Sequence, residues 1–248
     1  MTNTFSTNEF CGGRIDAVRA LTGSHNYNIN TPESDRDYKF FVYPTFDDLY
    51  HEKMYSNYLV SLTLDATCHD VRQLIDLVWK SNINYIEVLY SKELYYRPEL
   101  AFLFENPETY TTMNLFGFYK ATYGMHLMKM KDLFKGTGNT THLVEKFGYD
   151  TKQACHALRC LYVINRYMTM DNIGKALWFT DDSYERKTLL DIKNGLYTVD
   201  EFQSHVDAWH ESWKTEAELF YKSIPENKPM YEYAKDKIKE LVKTNLFP

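Results

Sequence analysis

Two hydrophobic periods succeed one another along the chain. The first ~95 residues mix alternating, β-rich runs with short helical ones. IDAVRALTG (15–23) reads as a strand running into a glycine turn, and RDYKFFVYP (36–44) as a strand closed by Pro44. NYLVSLTLDA (57–66) predicts a third strand, with Val60, Leu62 and Leu64 on one face and Ser61, Thr63 and Asp65 on the other. ATCHDVRQLIDLVWKSN (66–82) has helical spacing, with Val71, Leu74, Ile75 and Val78 on one side. INYIEVLYS (83–91) fits either state. After Pro98 the pattern is nearly all helical, with helices predicted over about 110–134, 151–170, 182–194, 199–221 and 231–244. The glycine-rich tract from Gly136 reads as a loop, and Thr198 with Glu201 as a capping box. A small mixed sheet followed by a helical lobe predicts an α+β fold, divided into a core of residues 1–97 and a lobe of residues 98–248. No internal repeat or linker tract is evident.

Composition narrows the classes without naming a function. The 248 residues, 44% hydrophobic and 25% charged, suit a folded domain or a core with a lobe attached, and exclude wholesale disorder. No apolar run is long enough for a membrane span, and no basic start precedes an apolar stretch, so a cytoplasmic protein with no membrane partner is expected. The four cysteines, Cys11, Cys68, Cys155 and Cys160, have no zinc-ligand spacing and are expected as reduced thiols, with no disulfide-linked partner. The net charge of −6 argues against strong duplex binding. Residues 117–180 nevertheless carry nine Lys and Arg against four Asp and Glu, a local +5 that suits a polyphosphate or a short nucleic-acid strand.

The segment LTGSHNYNINTPESDRDYKF (21–40) carries the most chemistry. Gly23-Ser24 follows a predicted strand, where a glycine lets backbone approach a ligand and a serine offers a hydroxyl and an N–H to phosphate. Asp35 and Asp37, at i and i+2, point to one side of a strand, and paired carboxylates of this kind suit a divalent ion shared with substrate phosphates. Asp65 is the best-placed third carboxylate; Asp47, Asp48 and Asp70 are weaker. Lys152, His156 and Arg159 fall on one stripe of a helix, opposite Ala154, Leu158, Leu161 and Asn165, and form a basic face on which a triphosphate could lie.

These residues resemble the DNA polymerase beta-like nucleotidyltransferase superfamily, and more narrowly its bacterial and phage members, some of them associated with RNA repair. The carriers are Gly23-Ser24, the TPESDRD tract (31–37), Asp65 with the following block to Ser91, and Lys152-x3-His156-x2-Arg159. His25 stands where the family usually has a basic residue, Asn28 where it has glycine, and Gln73 where a second basic residue follows Arg72. The resemblance covers residues 22–170. It implies a magnesium- or manganese-dependent enzyme that moves an NMP from an NTP to an acceptor hydroxyl. Asp35, Asp37 and Asp65 would be the catalytic metal ligands, and Gly23, Ser24, His25, Tyr27, Lys152, His156 and Arg159 the nucleotide-binding set. Arg72, Glu87, Lys120 and Tyr123 are lesser candidates. The acceptor is open: an RNA or tRNA end, a small molecule or a protein. Two alternatives remain, an inactive binding module of the same fold and a metal-dependent phosphohydrolase or nuclease.

Overall fold

The computed structural model describes residues 7–61, 64–136, 138 and 140–246. Its main elements are, in chain order, β1 (Asp16–Thr22), α1 (Gly23–Tyr27), β2 (Arg36–Val42), α2 (Phe46–Tyr50), β3 (Ser56–Val60), β4 (Leu64–Asp70), α3 (Leu74–Trp79), α4 (Ile83–Ile86), β5 (Leu94–Tyr96), α5 (Leu115–Lys131), α6 (Thr151–Met170), α7 (Tyr184–Lys193), α8 (Val199–Ser212), α9 (Lys214–Ser223) and α10 (Lys228–Leu246). The fold class is α+β, as the sequence predicts. The chain separates into two compact units: residues 1–26, 32–113 and 227–248, and residues 27–31 and 114–226. Residues 98–113 and α10, grouped by sequence with the helical lobe, thus pack in the first unit.

The first unit is built on a five-stranded mixed sheet in the order β3-β4-β2-β1-β5. β2 and β4 run parallel, and the other pairs are antiparallel. Alternation along the strands gives the sheet two different faces. One carries Phe40, Val42, Ala66 and Cys68, packed with Phe10 and Cys11. The other carries Phe41 and His69, whose rings meet each other and, through His69, Tyr85 of α4. Behind it Val71, Leu74, Ile75, Val78, Ile83 and Ile86 are all buried.

Two predicted elements are corrected here. The single strand over 57–66 is a hairpin: β3 ends at Val60, and the Ser61 hydroxyl donates to Leu64 O at 2.7 Å. Leu62 and Thr63 lie outside the described residues. The stretch 66–70, read as helix, completes β4, because Ala66, Cys68 and Asp70 alternate inward; the helical turns begin only after Asp70 caps them through Arg72 N–H. The ambiguous stretch 83–91 is helical.

The second unit centres on α6, which spans the predicted residues 151–170. Asp150 caps its start by accepting from Gln153 N–H at 3.0 Å, and Asp171 ends it in the left-handed region at φ 47°. Ala154, Leu158, Leu161 and Ile164 are fully buried. Burial of each such leucine or isoleucine contributes roughly 1.5–3 kcal/mol. Tyr221 of α9 donates to Ile164 O at 2.8 Å, and Trp209 of α8 donates to the Asn165 side chain at 3.0 Å. The capping box of Thr198 and Glu201 starts α8. Among the described residues no helix is long and apolar enough to cross a membrane, and all four cysteines are free and buried.

Candidate active site

Sheet register assembles the carboxylates. Thr22 of β1 pairs with Asp37 of β2, and Asp37 pairs with Asp65 of β4, so the two aspartates stand side by side on adjacent strands. Asp35, two residues before Asp37, joins them. Oxygen atoms of Asp35, Asp37 and Asp65 all lie within 4.8 Å of one another, and each residue is partly exposed. Three carboxylates this close repel one another unless a cation lies among them. Magnesium, about 2.1 Å from each oxygen, needs ligand oxygens about 3–4 Å apart, so this donor set fits after small side-chain rotations. Asp65 is oriented by Ser61 N–H, which donates to its Oδ1 at 3.2 Å.

Gly23 has a structural reason to be glycine. Its φ is +70°, and a β-carbon there would lie 2.1 Å from Asp37 Oδ2. Its N–H donates to Glu87 Oε2 at 2.9 Å, so the Gly23 amide is directed at a protein carboxylate. Glu87 is buried, and its backbone and side-chain oxygens also accept from the Asn26 amide at 3.2 and 3.3 Å. Glu87 therefore fixes the β1–α1 turn from behind. Ser24 is partly exposed. His25 Nε2 donates to Ser34 O at 3.4 Å and ties that turn to the loop carrying Asp35.

Asn28 occupies the family's glycine position at φ +62°. Asparagine tolerates this region better than most side chains. Its amide donates to Phe179 O at 2.8 Å and Asp181 Oδ1 at 3.0 Å, while its carbonyl accepts from Arg186 Nε at 2.6 Å. The departure from glycine preserves the backbone path.

The basic stripe of α6 is graded in depth. Lys152 is exposed, His156 partly buried, and Arg159 only 2% exposed. Arg159 stacks its guanidinium 3.9 Å from the ring centre of the fully buried Tyr27. Of the three, Arg159 is buried and packed on an aromatic ring, while Lys152 keeps its exposure. Burial, followed by the charges of Arg159, Lys129, Lys152 and Lys193, holds the His156 imidazole well below the usual histidine range. Lys129 and Lys193 are cations of this cluster that sequence spacing did not reveal, because they come from α5 and α7.

The lesser candidates have other contacts. Arg72 pairs with Asp70 at the far end of β4, five strand residues beyond Asp65 and so about 17 Å away. Lys120 lies over the Phe116 ring at 4.6 Å, and Tyr123 stacks on Tyr119 at 5.8 Å. Asp48 caps α2 and pairs with Arg14, which holds its carboxyl far below the usual range. A residue the sequence reading missed is Lys39. It follows Asp37 by two positions on the same face of β2, lies 5.6 Å from the Tyr85 ring centre, and has no ion pair among the described residues. Extending the alternation of Asp35 and Asp37 by one step would have found it.

A family model described as RlaP, RNA repair pathway DNA polymerase beta family, matches residues 18–243. The chain belongs to that family. The matched span includes the triad and α6 together, which makes this RNA repair pathway DNA polymerase beta family protein a member of the polymerase beta-like nucleotidyltransferases. A solved nucleotidyltransferase-like protein from Exiguobacterium sibiricum 255-15 is similar at 12% identity and a TM-score of 0.30, over 98% of this chain and 73% of that one. The comparison with curated proteins found no match.

Proposed function

We propose that the protein is a metal-dependent nucleotidyltransferase that moves an NMP from an NTP to an acceptor hydroxyl and releases pyrophosphate. The observation that carries this reading is the convergence of Asp35, Asp37 and Asp65 within 4.8 Å, beside a glycine whose shape Asp37 requires. Asp35, Asp37 and Asp65 would hold Mg²⁺ or Mn²⁺. The bound ion supplies charge neutralisation of the phosphates and makes the acceptor hydroxyl more acidic.

The chain's own groups do the rest. The acceptor oxygen forms a bond to the α-phosphorus as the bond to the pyrophosphate oxygen breaks, and Asp65 receives the hydroxyl proton. Ser24 donates its hydroxyl to a phosphate oxygen. Lys39, on the face of β2 that carries Asp37, balances charge on the triphosphate; in the second unit, Lys152, Lys129 and Lys193 with neutral His156 make a cationic group suited to phosphate. Catalysis of this kind rests on positioning and charge stabilisation. Asn28 supports retained catalysis, because it adopts the backbone conformation that a glycine would supply.

The family description favours an RNA end as acceptor. The test is incubation with α-labelled NTP, Mg²⁺ and, separately, RNA oligonucleotides, small-molecule alcohols and protein acceptors. Label on RNA with release of pyrophosphate supports the reading. Free phosphate or cleaved RNA, with no nucleotide attached to any product, means a phosphohydrolase or nuclease and contradicts it.

A further inference from the structure

The sheet face that bears the triad continues past it, on the side away from Gly23. Register puts Val60 of β3 beside Asp65, in the row Thr22, Asp37, Asp65 and Val60. The next row along the strands holds Ala20, Lys39, Thr67 and Tyr58. Directly paired residues share a face, so Tyr58 and Val60 stand on the side of the sheet that carries the carboxylates. Tyr58 is 78% exposed and Val60 64% exposed. A phenol ring and an aliphatic group thus stand open to a ligand beside a polar site.

The strand that presents them is held from behind. Leu59, between them, packs into the cluster of Phe40, Ala66 and Cys68 on the opposite face. Asn57 donates its amide to Phe10 O at 2.9 Å, and its Oδ1 accepts from Tyr58 N–H at 2.9 Å. The backbone under the ring is therefore fixed while the ring itself is largely free of protein cover. Residues 54–61 carry no charged side chain, so this surface suits a flat, neutral group.

Direction selects which substrate this group belongs to. Transfer to phosphorus proceeds in line, with the attacking oxygen opposite the departing pyrophosphate. With the triphosphate toward Ser24, on the β1 side of the triad, the acceptor approaches from the β3 side. Tyr58 lies diagonally across from Asp65 on the neighbouring strand, roughly 7–8 Å away. One nucleoside can reach from a sugar hydroxyl at the carboxylates to a base on that ring. We propose that Tyr58 and Val60 seat the terminal nucleobase of the RNA acceptor, with Tyr58 stacking on its face and Val60 packing at its edge. This placement rests on the nucleotidyltransferase reading and adds the acceptor's seat to it. Stacking accepts any base, so the platform orients the RNA end without choosing its sequence.

The test uses the full chain with Mg²⁺ and no NTP, and a short oligoadenylate carrying 2-aminopurine either at its 3′ end or in its middle. Stacking on an aromatic ring quenches 2-aminopurine fluorescence. The expected result is saturable quenching of the terminal probe alone. Tyr58→Ala should lose the quenching and bind at least about fivefold more weakly by anisotropy of a 5′-labelled strand, and Tyr58→Trp should restore both. In the transfer assay Tyr58→Ala should raise the KM for RNA by a similar factor and leave the KM for NTP at its wild-type value. Equal affinity and quenching in wild type and Tyr58→Ala, equal quenching of the middle probe, or no binding of either oligonucleotide would each overturn the proposal, even where transfer proceeds. Tyr58-dependent quenching in a chain that transfers no nucleotide to RNA would uphold the seat and contradict the nucleotidyltransferase reading instead.

Discussion

Gly23 presses its backbone against the Asp37 carboxylate so closely that a β-carbon at position 23 would lie 2.1 Å from Asp37 Oδ2. The turn leaving β1 and the Asp37 carboxylate of β2 therefore share one space. Gly23→Ala must move Asp37, and the positive φ adds about 1–2 kcal/mol of backbone strain. The expected outcome is a folded protein with a modestly lower Tm and at least a hundredfold lower transfer rate. Thermal melting and a labelled-nucleotide assay on the same preparation check it.

Glu87 acts one step removed, as a positioning residue. Glu87→Ala leaves the Gly23 N–H and the Asn26 amide without this buried acceptor, at a cost of about 1–3 kcal/mol. Glu87→Gln keeps an acceptor oxygen and should recover most of the stability and activity. Failure of glutamine to rescue, with alanine equally inactive, would assign the carboxylate's charge itself to the reaction.

Asn28 separates backbone shape from side-chain bonding. At φ +62°, Asn28→Gly keeps the conformation and loses the bonds to Phe179 and Asp181. Asn28→Ala loses the bonds and strains the backbone. The alanine variant should be less stable than the glycine variant by about 1 kcal/mol in urea denaturation.

Acid should destabilise the second unit through its histidines. The His126 ring is fully buried and Nδ1 donates to Ala157 O at 3.0 Å. Burial, with His210 adding to it, pushes His126 down to about 4 against the repulsion-free hydrogen bond that favours the cation. His156 is displaced in the same direction. Because the folded values lie below the unfolded ~6.5, the unfolded chain takes up protons first as pH falls. Stability is complete above pH 6.5 and declines between about 6.5 and 4, by up to about 3 kcal/mol from His126. Denaturation midpoints measured from pH 7.5 to 4.5 should fall accordingly, and His126→Gln should flatten part of the slope.

Much of this site was legible in the residues. Asp35 and Asp37 stand out through their i, i+2 spacing taken together with the upstream strand and Gly23-Ser24, and the extent of α6 through its period. Asp65 lies on a strand that resumes after the break Ser61 makes, and nothing in NYLVSLTLDA marks that break. The helical period after Asp70 was extended backward because Ala66, Cys68 and Asp70 also satisfy a strand's alternation. The three residues of β5 are too few to show a period. Long-range pairings stayed hidden: a buried glutamate bonding a backbone amide 64 residues away, or Arg159 stacking on Tyr27, leaves no local signature.

If Asp35, Asp37 and Asp65 make one catalytic metal site, removing the charge of any one of them ends transfer. Asp35→Asn, Asp37→Asn and Asp65→Asn are each incubated with α-labelled NTP, Mg²⁺ and the RNA acceptor, after circular dichroism has shown them folded. The wild type should label the RNA only with magnesium present, and all three variants should lose that labelling. Labelling at near wild-type rate in the Asp35 and Asp37 variants would contradict it.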